Sequence, residues 1–157
     1  MIPITTETFR LFLHVLAACV WVGGQLTLGV VIPALRPTPG DPDPQAARVR
    51  IRAVAQRFQR AAWIAFAVLV ATGVWNLMAL HVTDRDTAWM TTLLEKLVCV
   101  AGSGIAAGIH ILVAAPRVHA ATTEAARRRA AAFSGACEGV SVLLAVAALF
   151  LGVLLAG

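Results

Sequence analysis

Tyrosine is missing from these 157 residues, and charged side chains make up only 13% of them. A soluble domain carries about 25% charged residues, so most of this chain cannot be a solvated surface. Cysteine is also scarce: Cys19, Cys99 and Cys137 form no CxxC, and their odd count gives no disulfide framework. The glycine-containing stretch AGSGIAAG at 101–108 is embedded in an apolar run, so it is not a phosphate loop. There are no paired carboxylates and no nucleophile with a base at usable spacing. These absences exclude hydride and phosphate chemistry and a soluble hydrolase. The chain reads as more a binding protein than an enzyme.

What the chain does have is apolar length. Hydrophobic residues make up 59% of it, and the mean hydropathy is +0.81. Four apolar segments emerge, at about Phe9–Ile32, Ala61–Leu80, Thr91–Ala115 and Gly135–Ala156. Each is near or above the ~20 residues that a helix needs to cross ~30 Å of hydrocarbon. The expected fold is therefore all-α, an integral membrane four-helix bundle with residues 1–157 forming one four-span domain. Between the spans, PALRPTPGDPDPQ at 33–45 is rich in Pro and Asp and predicts a loop. AARVRIRAVAQRFQR at 46–60 reads as a basic helical lead-in to the second span, and Pro116–Phe133 as a second basic loop.

The net charge of +5 carries topology rather than a nucleic-acid footprint. Arg36, Arg48, Arg50, Arg52, Arg57 and Arg60 fall in the first loop and Arg117, Arg127, Arg128 and Arg129 in the third, against Arg10, Arg85 and Lys96 on the other side. The positive-inside tendency puts both large basic loops in the cytoplasm and both termini outside, in a multi-pass membrane protein. Leu16-Ala-Ala-Cys19, preceded by Arg10, resembles a lipoprotein cleavage box, but the apolar run continues to Ile32 and Met1–Arg10 has no net positive charge. The expectation is an uncleaved span.

This topology assigns a depth to each polar residue. His14 and Lys96 each lie about five residues into their helices, ~7 Å below the outer boundary at 1.5 Å per residue. His110 lies near the inner end of its helix, so a single small ligand or metal bridging His14 and His110 is not expected. His14, Trp21 and Gln25 share one helical face, and so do Lys96, Ser103 and His110. Polar faces turn away from lipid, and Gly104 with Gly108 forms a GxxxG suited to close packing. The small-residue faces are also the candidate contact of a homo-oligomer.

Two candidate layers follow. The outer one gathers His14, Lys96, Glu95 and His81, with Met78 and Met90 at nearby helix ends. Imidazole with thioether is a copper donor set, the soft sulfur favouring Cu(I). His14, His81, Met78 and Met90 are the candidate metal ligands, each weighed against a structural histidine, a loop residue or ordinary interfacial packing. Lys96 either snorkels to the outer headgroups, or pairs with an acid such as Glu95, or is a buried cation placed to hold an anion. The inner layer holds His110, Arg117, Glu138, Gln25, Arg57 and Arg60. There Glu138 is expected to pair with an arginine, and His110 is either a haem or metal ligand or a structural hydrogen bonder.

His14-V-L-A-A-C-V-Trp21-V-Gly23-Gly24, then Arg57-F-Q-R-A-A-W, Thr72-Gly73-V-W, Trp89…Lys96-L-V…His110 and Ala115-Pro116-Arg117 follow one another along the chain. This series resembles the CopD-like family of bacterial copper-resistance membrane proteins. The F-x-H-x-x-A-x-x-x-W opening also looks like the related HemJ family of four-helix membrane proteins, which bind haem b and are associated with protoporphyrinogen oxidation. The CopD resemblance implies copper handled at the outer membrane face, with His14 as central ligand. Its expected partners are the lipid bilayer and either a periplasmic copper carrier or a larger membrane complex to which this chain is an accessory subunit. The HemJ resemblance implies haem b held by His14, with Trp21, Lys96, His110 and Arg117 as further cofactor contacts.

Overall fold

In the computed structural model, residues 4–38, 40–79 and 85–156 are described. Among them the chain is helical, and four helices are long and apolar enough to cross a membrane: α1 Thr6–Ala34, α2 Pro44–Ala79, α3 Thr87–Val118 and α4 Glu124–Leu154. The chain divides into two compact units, Met1–Val82 and Thr83–Gly157. The first contains α1 and α2, the second α3 and α4.

Each helix starts where its sequence supplies an oxygen for the orphan N–H groups of the first turn. The Thr5 hydroxyl accepts from the Thr8 N–H at 3.2 Å, the Asp43 carboxylate from the Ala46 N–H at 2.9 Å, Asp86 from Trp89 N–H at 2.7 Å and Thr123 from Ala126 N–H at 3.2 Å. Pro44 opens α2, where its fixed φ and missing N–H do no harm. In the connection between α1 and α2, Gly40 takes a φ of 99°, a conformation that favours glycine over any L side chain.

Two boundaries differ from the sequence expectation. The basic lead-in and the second span form one unbroken helix, Pro44–Ala79, because nothing between Arg48 and Arg60 competes with helix formation. The expected loop from Pro116 to Phe133 is helical almost throughout, since the helical path continues over Ala115–Ala120 and α4 begins at Glu124. Proline at this point is accommodated by a wide π turn, His110–Ala114, immediately before it. There the Ala115 N–H bonds the His110 carbonyl, five residues back, which displaces the carbonyls that would otherwise meet the Pro116 ring. A second π turn, Cys19–Gly23, interrupts α1.

Packing within each unit uses mostly small residues, with Trp21 and Leu93 the large apolar exceptions. Ala17, Ala62 and Ala65 are buried in the first unit, and Ala106, Ala107, Ala114, Ala145 and Ala148 in the second. Leu26, Val30, Ile64, Ile105, Leu112, Leu143 and Phe150 point outward. Lipid tails are as apolar as leucine, so helices in a bilayer associate through close backbone approach and let large side chains face the hydrocarbon. Gly24 shows the principle: the Phe58 ring of α2 rests in the space that a Cβ would occupy there.

Candidate functional site

The first unit pairs α1 with α2 in antiparallel register, and His14 sits on the seam. Its Nδ1 is 2.9 Å from the Thr72 hydroxyl. That hydroxyl donates its single proton back into its own helix, to the Val68 carbonyl at 2.7 Å, with the Leu69 carbonyl at 3.2 Å. Thr72 therefore accepts from His14, and the proton of the neutral imidazole resides on Nδ1. Nε2 is then the nitrogen carrying the lone pair, the form in which histidine ligates a metal. A Cβ at Gly73 would lie 3.5 Å from His14 Cε1, so this glycine leaves room for the ring against α2.

Farther along the seam Trp21 is 3% exposed. Its ring meets Trp63 edge-on at 5.7 Å and Phe66 at 4.5 Å between centroids, and Trp63 and Phe66 meet at 5.6 Å. Gln25 is buried on the same face. The expectation that His14, Trp21 and Gln25 lie on one side of the first helix thus has a concrete basis: that side packs on α2. Met78 does not join them. It is 82% exposed, and six residues past Thr72 its position is about 120° around α2 from the seam.

The second unit carries a polar ladder along the seam of α3 and α4. Lys96, Ser103 and His110 recur every seven residues on α3, and each meets α4. Lys96 Nζ lies against Gly152, 3.0 Å from where a Cβ would stand. Ser103 and Ser141, 1% and 0% exposed, have their hydroxyls 3.2 Å apart, and Ser141 donates to the Ser103 carbonyl at 3.0 Å. His110 Nδ1 donates to the Ser134 carbonyl at 3.0 Å, with the Ser134 hydroxyl at 3.2 Å. Its Nε2 lies 3.9 Å from a Glu138 carboxylate oxygen. Glu138 therefore faces a histidine where the sequence suggested an arginine, and Arg117 lies over the Phe133 ring at 5.9 Å. Lys96 has no ion-pair partner among the described residues, so the expected pairing with Glu95 does not form.

Of the candidate metal ligands, His14 and Met78 belong to the first unit and Met90, half-exposed near the start of α3, to the second. His81 lies outside the described residues. Among the described residues no group of three His, Cys, Asp or Glu side chains is close enough to hold a metal ion. Sequence reasoning did not assign roles to Thr72 and Ser134, the two residues that orient the histidines. Their only signal was a hydroxyl at a helix-seam position, and Thr72 also stood in the Thr-Gly pair of the family-like motif.

One family model, described as copper resistance protein D, matches residues 52–155, about two thirds of the chain. The matched stretch includes Thr72, Lys96, His110 and the seam of α3 and α4, and begins after α1. No curated protein and no solved structure shows a match.

Proposed function

The chain belongs to the copper resistance protein D family, and from that membership we propose that it takes copper as cargo at the membrane, with His14 as the central ligand. Four membrane-length helices fit the family's setting. His14 lies ahead of the matched stretch, so its role rests on this chain's own geometry. The observation that carries it is the Thr72 bond, which fixes the tautomer and leaves the Nε2 lone pair as the donor. Imidazole serves copper in either oxidation state, and thioethers add preference for Cu(I). Met78 and Met90 carry the thioethers and His81 a second imidazole as further candidate donors, Met78 lying off the seam that holds His14.

The distribution of arginines supports an orientation in which the Thr6 end of α1 faces outward and the basic segments face the cytoplasm. Copper then enters from the outer face of a bacterial plasma membrane and passes inward or to a membrane partner. The test is a Cu(I) competition titration of the purified full chain against a chromophoric chelator. Wild type is expected to hold one Cu(I) that His14→Ala loses while keeping its helical content. Equal affinity in the two proteins contradicts the proposal. A Soret band in the isolated protein, shifted by His14→Ala, would transfer His14 to haem and overturn the copper reading.

A further inference from the structure

One turn before His14, the structure buries an arginine. Arg10 is 7% exposed, and its Nε–H has no hydrogen-bond partner. Among the described residues it is paired with Glu7, with Nη2 to Oε1 at 3.7 Å. That is close enough for charge attraction but longer than the ~2.7–2.9 Å of a charged hydrogen bond. Across the seam, Asn76 lies one turn beyond Thr72 just as Arg10 lies one turn before His14, so antiparallel pairing brings both to one level. The Asn76 Oδ1 is likewise buried with no partner.

A buried guanidinium whose Nε–H is unsatisfied carries a desolvation cost that a polar ligand would offset. The structure provides the room. A recess of ≈ 280 Å³ opens here, lined by Thr6, Glu7, Arg10, Trp75 and Ala79. Charge is graded within it, because Arg10 is buried while the Glu7 side chain is 73% exposed at the rim. Trp75 forms a half-exposed aromatic wall. The recess lies at the start of α1 and the end of α2, where spanning helices reach the headgroup region, and Phe9, Leu11 and Phe12 beside it point outward.

We propose that this recess binds a zwitterionic phosphate–ammonium headgroup, with the phosphate on Arg10 and the Thr6 hydroxyl and the ammonium toward Glu7 and the face of Trp75. Each half answers an observation. An oxyanion gives the Arg10 N–H groups acceptors in the fork geometry that guanidinium favours. A cation at the rim meets both a carboxylate and an indole face. A purely anionic headgroup would satisfy Arg10 but meet Glu7 as a like charge.

The experiment is native mass spectrometry of the full-length protein in detergent, with phosphatidylethanolamine and phosphatidylglycerol supplied in equal amounts. Wild type is expected to retain phosphatidylethanolamine preferentially. Arg10→Gln is expected to weaken its retention about ten- to a hundredfold, the loss of a charge-assisted contact. Glu7→Gln should erase the preference between the two lipids. Asn76→Asp places a carboxylate opposite Arg10 Nε and should displace the headgroup while leaving thermal stability equal or higher, which covers the case of a poorly folded Arg10 variant. Free phosphoethanolamine separates the sources: if it displaces the lipid, the headgroup alone is recognised, and if it does not, the acyl chains contribute. Retention unchanged in both Arg10→Gln and Asn76→Asp, or equal retention of both lipids by wild type, overturns the proposal.

Discussion

Thr72→Val is the most informative single change in the first unit. The two side chains are nearly the same size, so the substitution leaves the seam of α1 and α2 filled and removes one hydroxyl. That hydroxyl accepts the His14 Nδ1–H at 2.9 Å and returns its own proton to the Val68 carbonyl. Without it the ring loses the bond that holds the proton on Nδ1. Loss of an outer partner of a ligating histidine typically costs 10–100-fold in metal affinity, about 1.4–2.8 kcal/mol. Fold stability should fall by about 1 kcal/mol, the net worth of one side-chain hydrogen bond. Competition titration with a Cu(I) chelator reads the first number and thermal unfolding in detergent reads the second. Thr72→Ser, which keeps the hydroxyl, should bind within a few-fold of wild type. If Thr72→Val binds copper as tightly as wild type while Thr72→Ser also does, the bond does not orient a copper ligand and the reasoning fails.

Three further outcomes follow from the packing and the charge distribution. Gly24→Ala forces a Cβ into the Phe58 ring and should destabilise the first unit by about 1–3 kcal/mol; in a Phe58→Ala background most of that penalty should vanish, and a penalty that persists places the strain elsewhere. Ser103→Ala or Ser141→Ala alone removes the interhelical bond while its partner's polar group stays buried, at about 1–3 kcal/mol, and the double alanine variant should lose less than the sum of the two. Additive losses in that double-mutant cycle would show that the serines act independently. Finally, a cysteine at Arg48 in a background lacking Cys19, Cys99 and Cys137 should be labelled only from the cytoplasmic side by a membrane-impermeant thiol reagent; labelling from outside reverses the proposed orientation.

The four helices were legible because apolar run length is a direct physical requirement of the bilayer, and the stretches around Leu26, Val70, Ile105 and Leu143 meet it without help from tertiary contacts. Helix ends were less legible. Pro116 and the arginines at 127–129 look like loop residues, yet Pro116 is tolerated by the π turn before it and the arginines lie on a capped helix, where Glu124 pairs with Arg127 and Arg128. A π turn is one residue of extra backbone, and nothing in CVWVG or HILVA announces it.

The histidine faces were readable from seven-residue spacing, because phase is fixed within one helix. Their partners were not. Thr72 is 58 residues from His14 and Ser134 is 24 from His110, and both look like ordinary small polar residues until antiparallel pairing sets the register. Arg10 counted only as a topological charge in the sequence. Its burial against α2 is what turns it into a candidate binding group.

The central claim is that the imidazole of His14 touches copper, and X-ray absorption spectroscopy at the copper edge of the Cu(I)-loaded full chain tests it most directly. Wild type should show imidazole nitrogen scattering, including the outer-ring signal, that disappears in His14→Ala protein loaded under the same conditions. An identical spectrum from the variant, with its copper bound as tightly as in wild type, would contradict the assignment.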